Sequence, residues 1–296
     1  MTGRIIEGLS ARDYHAHAFS SMPHLSASIA KILIDKTPEH ARLAHPLLRR
    51  PDDPAPAKDS IDDGTLMHHA VLENFDRIAI IEAKDFRTKA AQEARDAALA
   101  DGKIPLVEGR VEEVARAANT IRRRLAEAGM PLDGQSELSV TWTEHATDGT
   151  PVECKARIDH LRTNALYLTG IDLKTCGSAD DDSIGSQMAR LGYDVQEAAY
   201  RRAIEALRLS SANSLRVVEF LFAFAELEPP HAVRIVETDS QFRALGARMW
   251  RYAIDTWAEC LRTGVWPATY STERLRVECK PWRLMAFETK SQGVIP

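Results

Sequence analysis

The sequence has few cysteines, and they lie far apart. Cys154, Cys176, Cys260 and Cys279 form no Cys-x-x-Cys pair. Their spacing argues against a zinc ribbon and against an iron–sulfur cluster with closely spaced ligands. The N-terminus lacks a basic stretch followed by an apolar run, so we expect no signal peptide. We therefore expect reduced thiols and a cytoplasmic location.

Long apolar runs, a positive net charge and nucleotide-binding loops are missing as well. The longest apolar stretch, residues 217–225, contains Glu219 and is too short to span a bilayer, so we expect no membrane partner. A net charge of −5 argues against non-specific coating of nucleic acid, but it allows a nuclease with one basic channel. Without a Gly-rich phosphate loop, the protein should need no ATP.

One segment divides the chain. Residues 50–60, RPDDPAPAKDS, are typical of a loop or linker. We expect an N-terminal helical region and linker over residues 1–60, a core over residues 61–240, and a C-terminal helix and tail over residues 241–296 that pack on the core.

Periodicity predicts the secondary structure. Helical spacing covers residues 26–37, 39–48, 64–73, 88–99, 107–128, 184–207 and 240–263. Alternation predicts three strands, over residues 137–143, 152–161 and 166–174, joined by turns. Two further strands are predicted over residues 215–226 and 232–237. This order indicates an α/β core with a mixed central sheet flanked by helices, preceded by a helical region.

The triplet Asp172-Leu173-Lys174 lies on the third predicted strand. Residues two apart on a strand share a face, so Asp172 and Lys174 should project together while Leu173 packs behind them. Asp159 ends the neighbouring strand and should lie alongside. Two carboxylates and an amine at one sheet edge suit a divalent metal and a water nucleophile, and hence phosphodiester hydrolysis. Alone, such a triplet is more often a solvated strand face.

The helix after this strand carries Gln196 and Tyr200, four residues apart on one face. Tyr193 lies close to that face. In another context these would be a surface glutamine and a packing tyrosine. Because the helix follows the Asp-x-Lys strand directly, its face can look across the same site.

The ordered set resembles the PD-(D/E)xK nuclease superfamily. Its members here are Gly64-x-x-x-His68, Glu137, Asp159, Asp172-x-Lys174 and Gln196-x-x-x-Tyr200. Within the superfamily, the set is most similar to the RecE-type exodeoxyribonuclease VIII branch, related to RecB-type nuclease domains. The stretch GTLMHHAVLE and the triplet Arg157-Ile158-Asp159 are the most branch-specific pieces. The resemblance covers residues 13–207 and implies a restriction-endonuclease-like core.

The resemblance implies a metal site. Asp159, Asp172, the backbone carbonyl of Leu173 and His68 would bind Mg²⁺, for which Mn²⁺ can substitute. The motif register favours His68 over its neighbour His69.

The resemblance also implies roles around that metal. Lys174 would orient or deprotonate the attacking water, or stabilise charge on the phosphate. Gln196 and Tyr200 would position the DNA, and Arg157 and Thr175 are further candidates for DNA contacts. Glu137 is left open between a metal or water ligand and a polar residue on an exposed strand face.

At the level of function, the resemblance implies a metal-dependent exonuclease on duplex DNA ends. It implies 5′ to 3′ polarity, release of mononucleotides, 3′ single-stranded tails for recombination, an annealing partner of RecT type and a homo-oligomeric ring. The helical N-terminal region and the long basic helix near Arg122 are candidates for ring contacts or the DNA channel. Two alternatives remain: a repair or restriction-type nuclease acting on flaps or single strands, and a non-catalytic DNA-binding module, against which the intact acids and lysine argue.

Overall fold

A computed structural model describes residues 2–54, 63–73, 75–211 and 216–292. The strands in these ranges are β1 (Gly3–Ile5), β2 (Ile78–Ile81), β3 (Ile104–Val107), β4 (Gln135–His145), β5 (Pro151–Thr163), β6 (Tyr167–Cys176), β7 (Val217–Glu226) and β8 (Val233–Val236). The helices are α1 (Ala11–Ala16), α2 (Ala27–Asp35), α3 (Pro38–Ala44), α4 (Asp63–Leu72), α5 (Lys89–Ala100), α6 (Val111–Glu127), α7 (Asp181–Arg190), α8 (Tyr193–Ser210), α9 (Ser240–Thr263) and α10 (Pro281–Gln292). Short 3₁₀ turns cover Pro46–Leu48 and Glu108–Arg110.

The central sheet is mixed. Its strand order within the described ranges is β1-β4-β5-β6-β7-β8, and β2 and β3 form a separate parallel pair. Among the described strands of the central sheet, the neighbours β6 and β7 run parallel and the other neighbouring pairs are antiparallel. A parallel pair needs a long crossover, and α7 and α8 supply it. The crossover therefore carries α8 back over the strand that bears the Asp-x-Lys triplet.

Apolar side chains form a core on each face of the sheet. On one face α2, α8 and α9 pack against β4, β5 and β7, with Trp142, Phe220 and Trp257 fully buried. On the other face α4 and α6 pack against alternate residues of β6 and β7, including Ile171 and Leu173. Helices on both faces of a mixed sheet confirm the predicted α/β class.

Both ends of the chain contact the central sheet. β1 pairs with β4, and Leu25 forms a bridge with Cys154 of β5. At the other end α9 buries Trp250 and Trp257, but the side chains of Leu275, Trp282 and their described neighbours in the tail are exposed. Trp266, just after α9, packs edge-on against Trp257, whereas the described side chains beyond it are exposed, so only the start of the tail packs on the core. The predicted domain boundaries stay a prediction, and most of the linker, residues 55–60, lies outside the described residues.

The structure corrects several predicted elements. The long helix predicted over residues 184–207 is two helices, because Gly192 adopts a left-handed conformation (φ 63°) between α7 and α8. The helix predicted over residues 39–48 ends at Ala44 and continues as a 3₁₀ turn. The start of the helix predicted over residues 107–128 is wrong, since Val107 ends β3 and α6 begins at Val111. The strands β1, β2 and β3 were not predicted.

Cys154, Cys176 and Cys260 are buried free thiols, and Cys279 is exposed and also unpaired. Burial raises the pKa of the Cys176 thiol to about 11, which favours the protonated form. In the described ranges, we find no helix that has both the length and the apolar character to cross a membrane.

Gly246 of α9 faces the backbone of α8, and an added Cβ would collide with the carbonyl oxygen of Asp194. We expect Gly246→Ala to lower the free energy of unfolding by about 1–3 kcal/mol, because one of two packed helices must shift. Gly185 of α7 has open space around it, so Gly185→Ala should raise stability by up to about 1 kcal/mol through helix propensity. Denaturant titration measures both, and equal effects would contradict the packing argument.

Candidate active site

The site begins where β5 and β6 stop pairing. Their ladder runs from Thr163 opposite Leu168 to His160 opposite Ile171 and ends there. One residue beyond, the Asp159 carboxylate accepts a hydrogen bond from the Leu173 backbone N–H at 2.9 Å. A side chain thus replaces the next main-chain bond of the ladder. This contact fixes Asp159 beside the Asp-x-Lys triplet.

Asp172 lies in the buried centre of this region. Its Oδ2 is 2.5 Å from Lys174 Nζ, and its Oδ1 accepts a hydrogen bond from Gln196 Nε2 at 2.6 Å. Lys174 also lies over the ring of Tyr193, 4.7 Å from its centroid. The structure therefore brings together the triplet and the helix face that the sequence placed near it.

The charges in this pair perturb one another. Burial raises the pKa of the Asp172 carboxyl to about 6, with Asp159 adding to the rise and Lys174 opposing it. Burial acts to lower the pKa of Lys174, but the Asp172 and Asp159 carboxylates outweigh it and raise that pKa. The neighbouring Asp159 carboxylate thus makes ionisation of Asp172 less favourable, and the Lys174 amine makes it more favourable.

His68 joins the cluster from α4. Its Nε2 lies 2.9 Å from Asp159 Oδ2, and its Nδ1 lies 3.8 Å from Glu137 Oε1. Burial would lower the pKa of the imidazole, but the Asp159 and Glu137 carboxylates raise it to about 9. The same imidazole helps to hold the pKa of Asp159 below its usual value against the effect of burial.

Packing holds α4 in place. Its apolar residues contact Ile171 and Leu173 of β6 and the buried face of α6. Arg122 of α6 donates to the carbonyl oxygens of Val71 and Ala70, at 2.8 and 2.5 Å, near the end of α4. A cation at a helix C-terminus also complements the helix dipole. Arg122 was predicted as a candidate for ring or DNA contacts, and the structure places it against the helix that carries His68.

Glu137 is part of the cluster and not an exposed strand-face residue, since 11% of its side chain is accessible. Its Oε2 accepts from Arg157 Nε at 2.6 Å. Arg157 also donates to Ser139 Oγ at 2.9 Å and to the Leu9 carbonyl at 3.0 Å. Burial and the charge of Asp159 raise the pKa of Glu137. Arg157 therefore pairs with Glu137 while it lines the cavity beside the cluster.

The donor atoms suit a hard cation. Glu137 Oε1 is buried and has no hydrogen-bond partner in the structure, and the same holds for Asp172 Oδ2 apart from its ion pair with Lys174. One ligand atom each from His68, His69 and Glu137 lie within 4.8 Å of one another. Carboxylate oxygens and imidazole nitrogens are ligands of Mg²⁺ or Mn²⁺. His69, ranked below His68 from the sequence, thus lies within the candidate donor set, although its Nδ1 also contacts Glu73 at 2.7 Å.

A cavity of about 330 Å³ opens beside this cluster. His68, Asp159 and Tyr200 line it, together with residues of α1, the start of α2 and the sheet. Burial strongly raises the pKa of the Tyr200 phenol, so the hydroxyl stays protonated. Tyr200 is thus placed on the cavity wall, as the helix spacing predicted.

Lys155 is an unusual part of the same cavity. The residue is 5% exposed, and its Nζ donates to the Tyr14 carbonyl at 2.7 Å and lies 4.3 Å from the Tyr14 ring centroid. No described carboxylate forms an ion pair with it, and burial lowers its pKa to about 8. Ser26 and Ser28, at the N-terminus of α2, line the cavity as well. A buried amine and a helix N-terminus together favour an anion.

A second cavity, of about 350 Å³, lies on the other side of His68. Lys174, Thr175 and Tyr193 line it, with Gly64 and Thr65 at the start of α4. Thr175 is therefore next to the cluster, as its predicted role in binding DNA requires. The backbone carbonyl of Leu173 remains a predicted ligand.

Three groups at the site were not identified from the sequence: Lys155, the serines at the start of α2, and His69 as a donor. The Lys155 position was recognised only as the polar face of a strand. Its contacts come from α1, more than a hundred residues earlier in the chain, and no local spacing reports such a contact.

Comparison with solved structures supports the fold. A solved structure of a "putative exonuclease" from Eubacterium rectale superposes with a TM-score of 0.55 at 15% identity, covering 95% of this chain and 98% of that chain. A second structure, of SSO0001, covers 70% of this chain and 96% of that chain at 13% identity, and its TM-score of 0.28 is too low to support an argument.

No curated protein sequence matches this chain. A family model does match, over residues 58–275, and it describes a PDDEXK-like domain of unknown function. That range is more than half of the sequence and contains every acidic residue of the cluster. The chain therefore belongs to this family of PDDEXK-like domains, which confirms the predicted superfamily and its mixed α/β core.

Proposed function

We propose that the protein is a divalent-metal-dependent nuclease that removes nucleotides from the ends of duplex DNA. The observation that carries the proposal is the buried cluster of Glu137, Asp159, Asp172 and Lys174, in which Glu137 Oε1 has no hydrogen-bond partner among the described residues and Asp172 Oδ2 has only its ion pair with Lys174. A PDDEXK-like family and the fold of a protein named as an exonuclease support it.

Asp159, Asp172, the Leu173 carbonyl and His68 would hold the metal ion, with Glu137 and His69 as further donors. Such an ion withdraws charge from phosphoryl oxygens and lowers the pKa of a bound water. Lys174 Nζ is fixed by Asp172 and can orient that water or stabilise the developing negative charge. Gln196 holds Asp172 in its orientation from the other side.

Action at an end is supported by the cavity beside the cluster. The sheet bounds it on one side, and α1, α2, α4 and α8 surround it. Lys155 and the α2 N-terminus would bind a terminal phosphate, and the next phosphodiester bond would then lie near His68 and Asp159, which line the same cavity. A continuous strand offers no terminal phosphate to such a pocket, so the pocket favours ends over interior positions.

The resemblance to RecE-type enzymes supplies the finer points of the proposal. These are 5′ to 3′ polarity, release of 5′-mononucleotides, 3′ tails for strand annealing, a RecT-type annealing partner, a homo-oligomeric ring and a cytoplasmic location. Two alternative functions would replace this proposal if it fails: a nuclease acting on flaps or single strands, and a non-catalytic DNA-binding module.

We expect Asp172→Ala to abolish cleavage of linear duplex DNA while leaving DNA binding intact, because Asp172 fixes Lys174 and would bind the metal. Lys174→Ala should reduce the rate by roughly 10²–10³-fold. The assay uses duplexes labelled at either the 5′ or the 3′ ends, with a closed circle alongside. Early release of the 5′ label as mononucleotide supports the proposed polarity.

Glu219→Ala is the matched control, since Glu219 is an acid on β7 that accepts from Thr169 away from the cluster. Full cleavage by Asp172→Ala would place the active site elsewhere. Cleavage of the circle would indicate an endonuclease, and no cleavage with any divalent metal would indicate a binding module.

We expect Mg²⁺ or Mn²⁺ to raise the melting temperature above its value in EDTA, because a ligand that binds the native state stabilises that state. At a ligand concentration one hundred times Kd, the free energy of unfolding rises by about 2.7 kcal/mol. Asp159→Asn should lose most of this rise, and Glu219→Gln should keep it. His68→Ala and His69→Ala separate the two candidate donor sets, since only the set containing both histidines predicts a loss in His69→Ala. Thermal unfolding and calorimetric titration measure the effect, and an unchanged rise in Asp159→Asn would place the metal elsewhere.

We expect Lys155→Met to reduce the preference for 5′-phosphorylated over 5′-hydroxyl ends by at least about tenfold, as loss of a charge-assisted bond implies. Methionine keeps the packing between Tyr14 and Phe19 while removing the charge. In the wild-type protein the preference should decrease as the pH rises through about 8, where the Lys155 amine loses its proton. The ratio of kcat/KM values for the two ends is the readout. Equal losses on both ends would show a structural role only.

A further inference from the structure

A groove bordered by arginines follows the seam between α8 and α9. Its volume is about 390 Å³. Four arginines border it, and we call it the arginine groove: Arg201, Arg202, Arg243 and Arg251. Alanines of both helices, Trp250 and the carboxylate residue Glu197 complete the lining. The whole chain carries a net charge of −5, so four cations around one groove are a local exception.

The arginine groove opens away from the catalytic cluster. A helix turns about 100° per residue, so Ala198 and Arg202 lie on the side of α8 roughly opposite Gln196. Gln196 contacts Asp172 in the cluster, whereas Ala198 lines the groove. A ligand in the groove therefore does not compete with DNA at the cluster.

Two of the arginines form ion pairs with buried carboxylates. Arg201 pairs with Glu197 at 2.6 Å, and Glu197 is 1% exposed. Arg202 pairs with Glu144 at 2.6 Å, and Glu144 is 2% exposed. In these ion pairs the side chains of Arg201 and Arg202 remain 29% and 43% exposed.

The two arginines of α9 keep the groove positive. Arg243 lies 3.9 Å from Glu237, a distance at which the exposed pair contributes little. Arg251 forms an ion pair with no described carboxylate and donates to the His145 carbonyl. Both can pair with an incoming acid at small cost to the fold.

Between its charged residues, the lining of the arginine groove is apolar. Ala244 and Ala247 are exposed and small, so they leave room for a side chain from outside, and Leu245 beside them is 45% exposed. Trp250 is buried, and its indole Nε1 is a donor with no hydrogen-bond partner in the structure. Phosphodiester strands need the charges but not this apolar lining.

We propose that the arginine groove binds an acidic peptide segment of a partner protein. Carboxylates of the segment pair with Arg243 and Arg251, and an adjacent apolar side chain lies against Ala244, Ala247 and Trp250. Paired charges around a small apolar pocket give both specificity and burial at a peptide site. The proposal does not depend on nuclease activity.

The test uses a fluorescein-labelled peptide of three aspartates followed by leucine and phenylalanine, titrated with the full-length protein. Fluorescence anisotropy should show binding that weakens at least tenfold in the double variant Arg243→Glu/Arg251→Glu. Arg248→Glu is the matched control, because Arg248 is exposed on α9 but does not line the groove. A peptide with serines in place of leucine and phenylalanine should bind at least tenfold more weakly. Equal binding by the double variant and the wild type, or equal losses in both charge variants, would overturn the proposal.

Two other occupants give different results. If a 20-base-pair duplex displaces the peptide from the Asp172→Ala protein, and the double variant loses that duplex, the groove is a nucleic-acid surface and the proposal is wrong. If the double variant changes the mass of the assembly in light scattering, the groove is a contact between copies of this chain, and the proposal is again wrong. Cleavage of linear duplex by the double variant at the wild-type rate shows that its effect is separate from the catalytic site.

Discussion

The buried charge balance at the cluster is the constraint on which the rest of the structure depends. Glu137, Asp159 and Asp172 bring three carboxylates into a region largely shielded from water, where unpaired charge is expensive. Three cations from three different elements neutralise them: His68 from α4, Arg157 from β5 and Lys174 from β6. Each element must therefore dock in one position. The packing of α4 on α6, and the crossover that returns α8 over β6, serve that placement.

The separation of β5 from β6 gives this cluster its shape. Two strands paired to their ends would bury the Leu173 N–H in the ladder and leave no space between the carboxylates. Because the ladder stops at His160 and Ile171, the Asp159 side chain occupies the position of the next main-chain partner. Local loss of sheet regularity thus creates the site, which agrees with the tendency of proteins to break local rules where they function.

Much of the core could be predicted from the sequence because its signals are local. Alternation of apolar and polar residues predicted which side chains of β4, β5 and β6 share a face. The Asp-x-Lys and Gln-x-x-x-Tyr spacings predicted that four side chains lie near one another, and the structure brings them together. Features set by distant contacts could not be predicted. The helix break at Gly192 lies against α2, where an added Cβ would touch the side chain of Lys31, and the sequence does not report this contact. Lys155 looks like an ordinary strand lysine until α1 covers it. The strands β2 and β3 are four residues each, too short for their periodicity to be distinctive.

The segment that precedes the range of the family match supplies part of the cavity beside the cluster. Residues 2–54 supply Tyr14, the start of α2 and β1, whereas every carboxylate of the cluster lies within residues 58–275. Part of the cavity wall thus comes from a stretch of the polypeptide that precedes the matched range, whereas Lys155, Tyr200 and the carboxylates come from within it. Sequence change in the first fifty residues can remodel what the cavity admits while the carboxylates stay fixed by the sheet. The same carboxylate cluster can thus be combined with cavities of different shape.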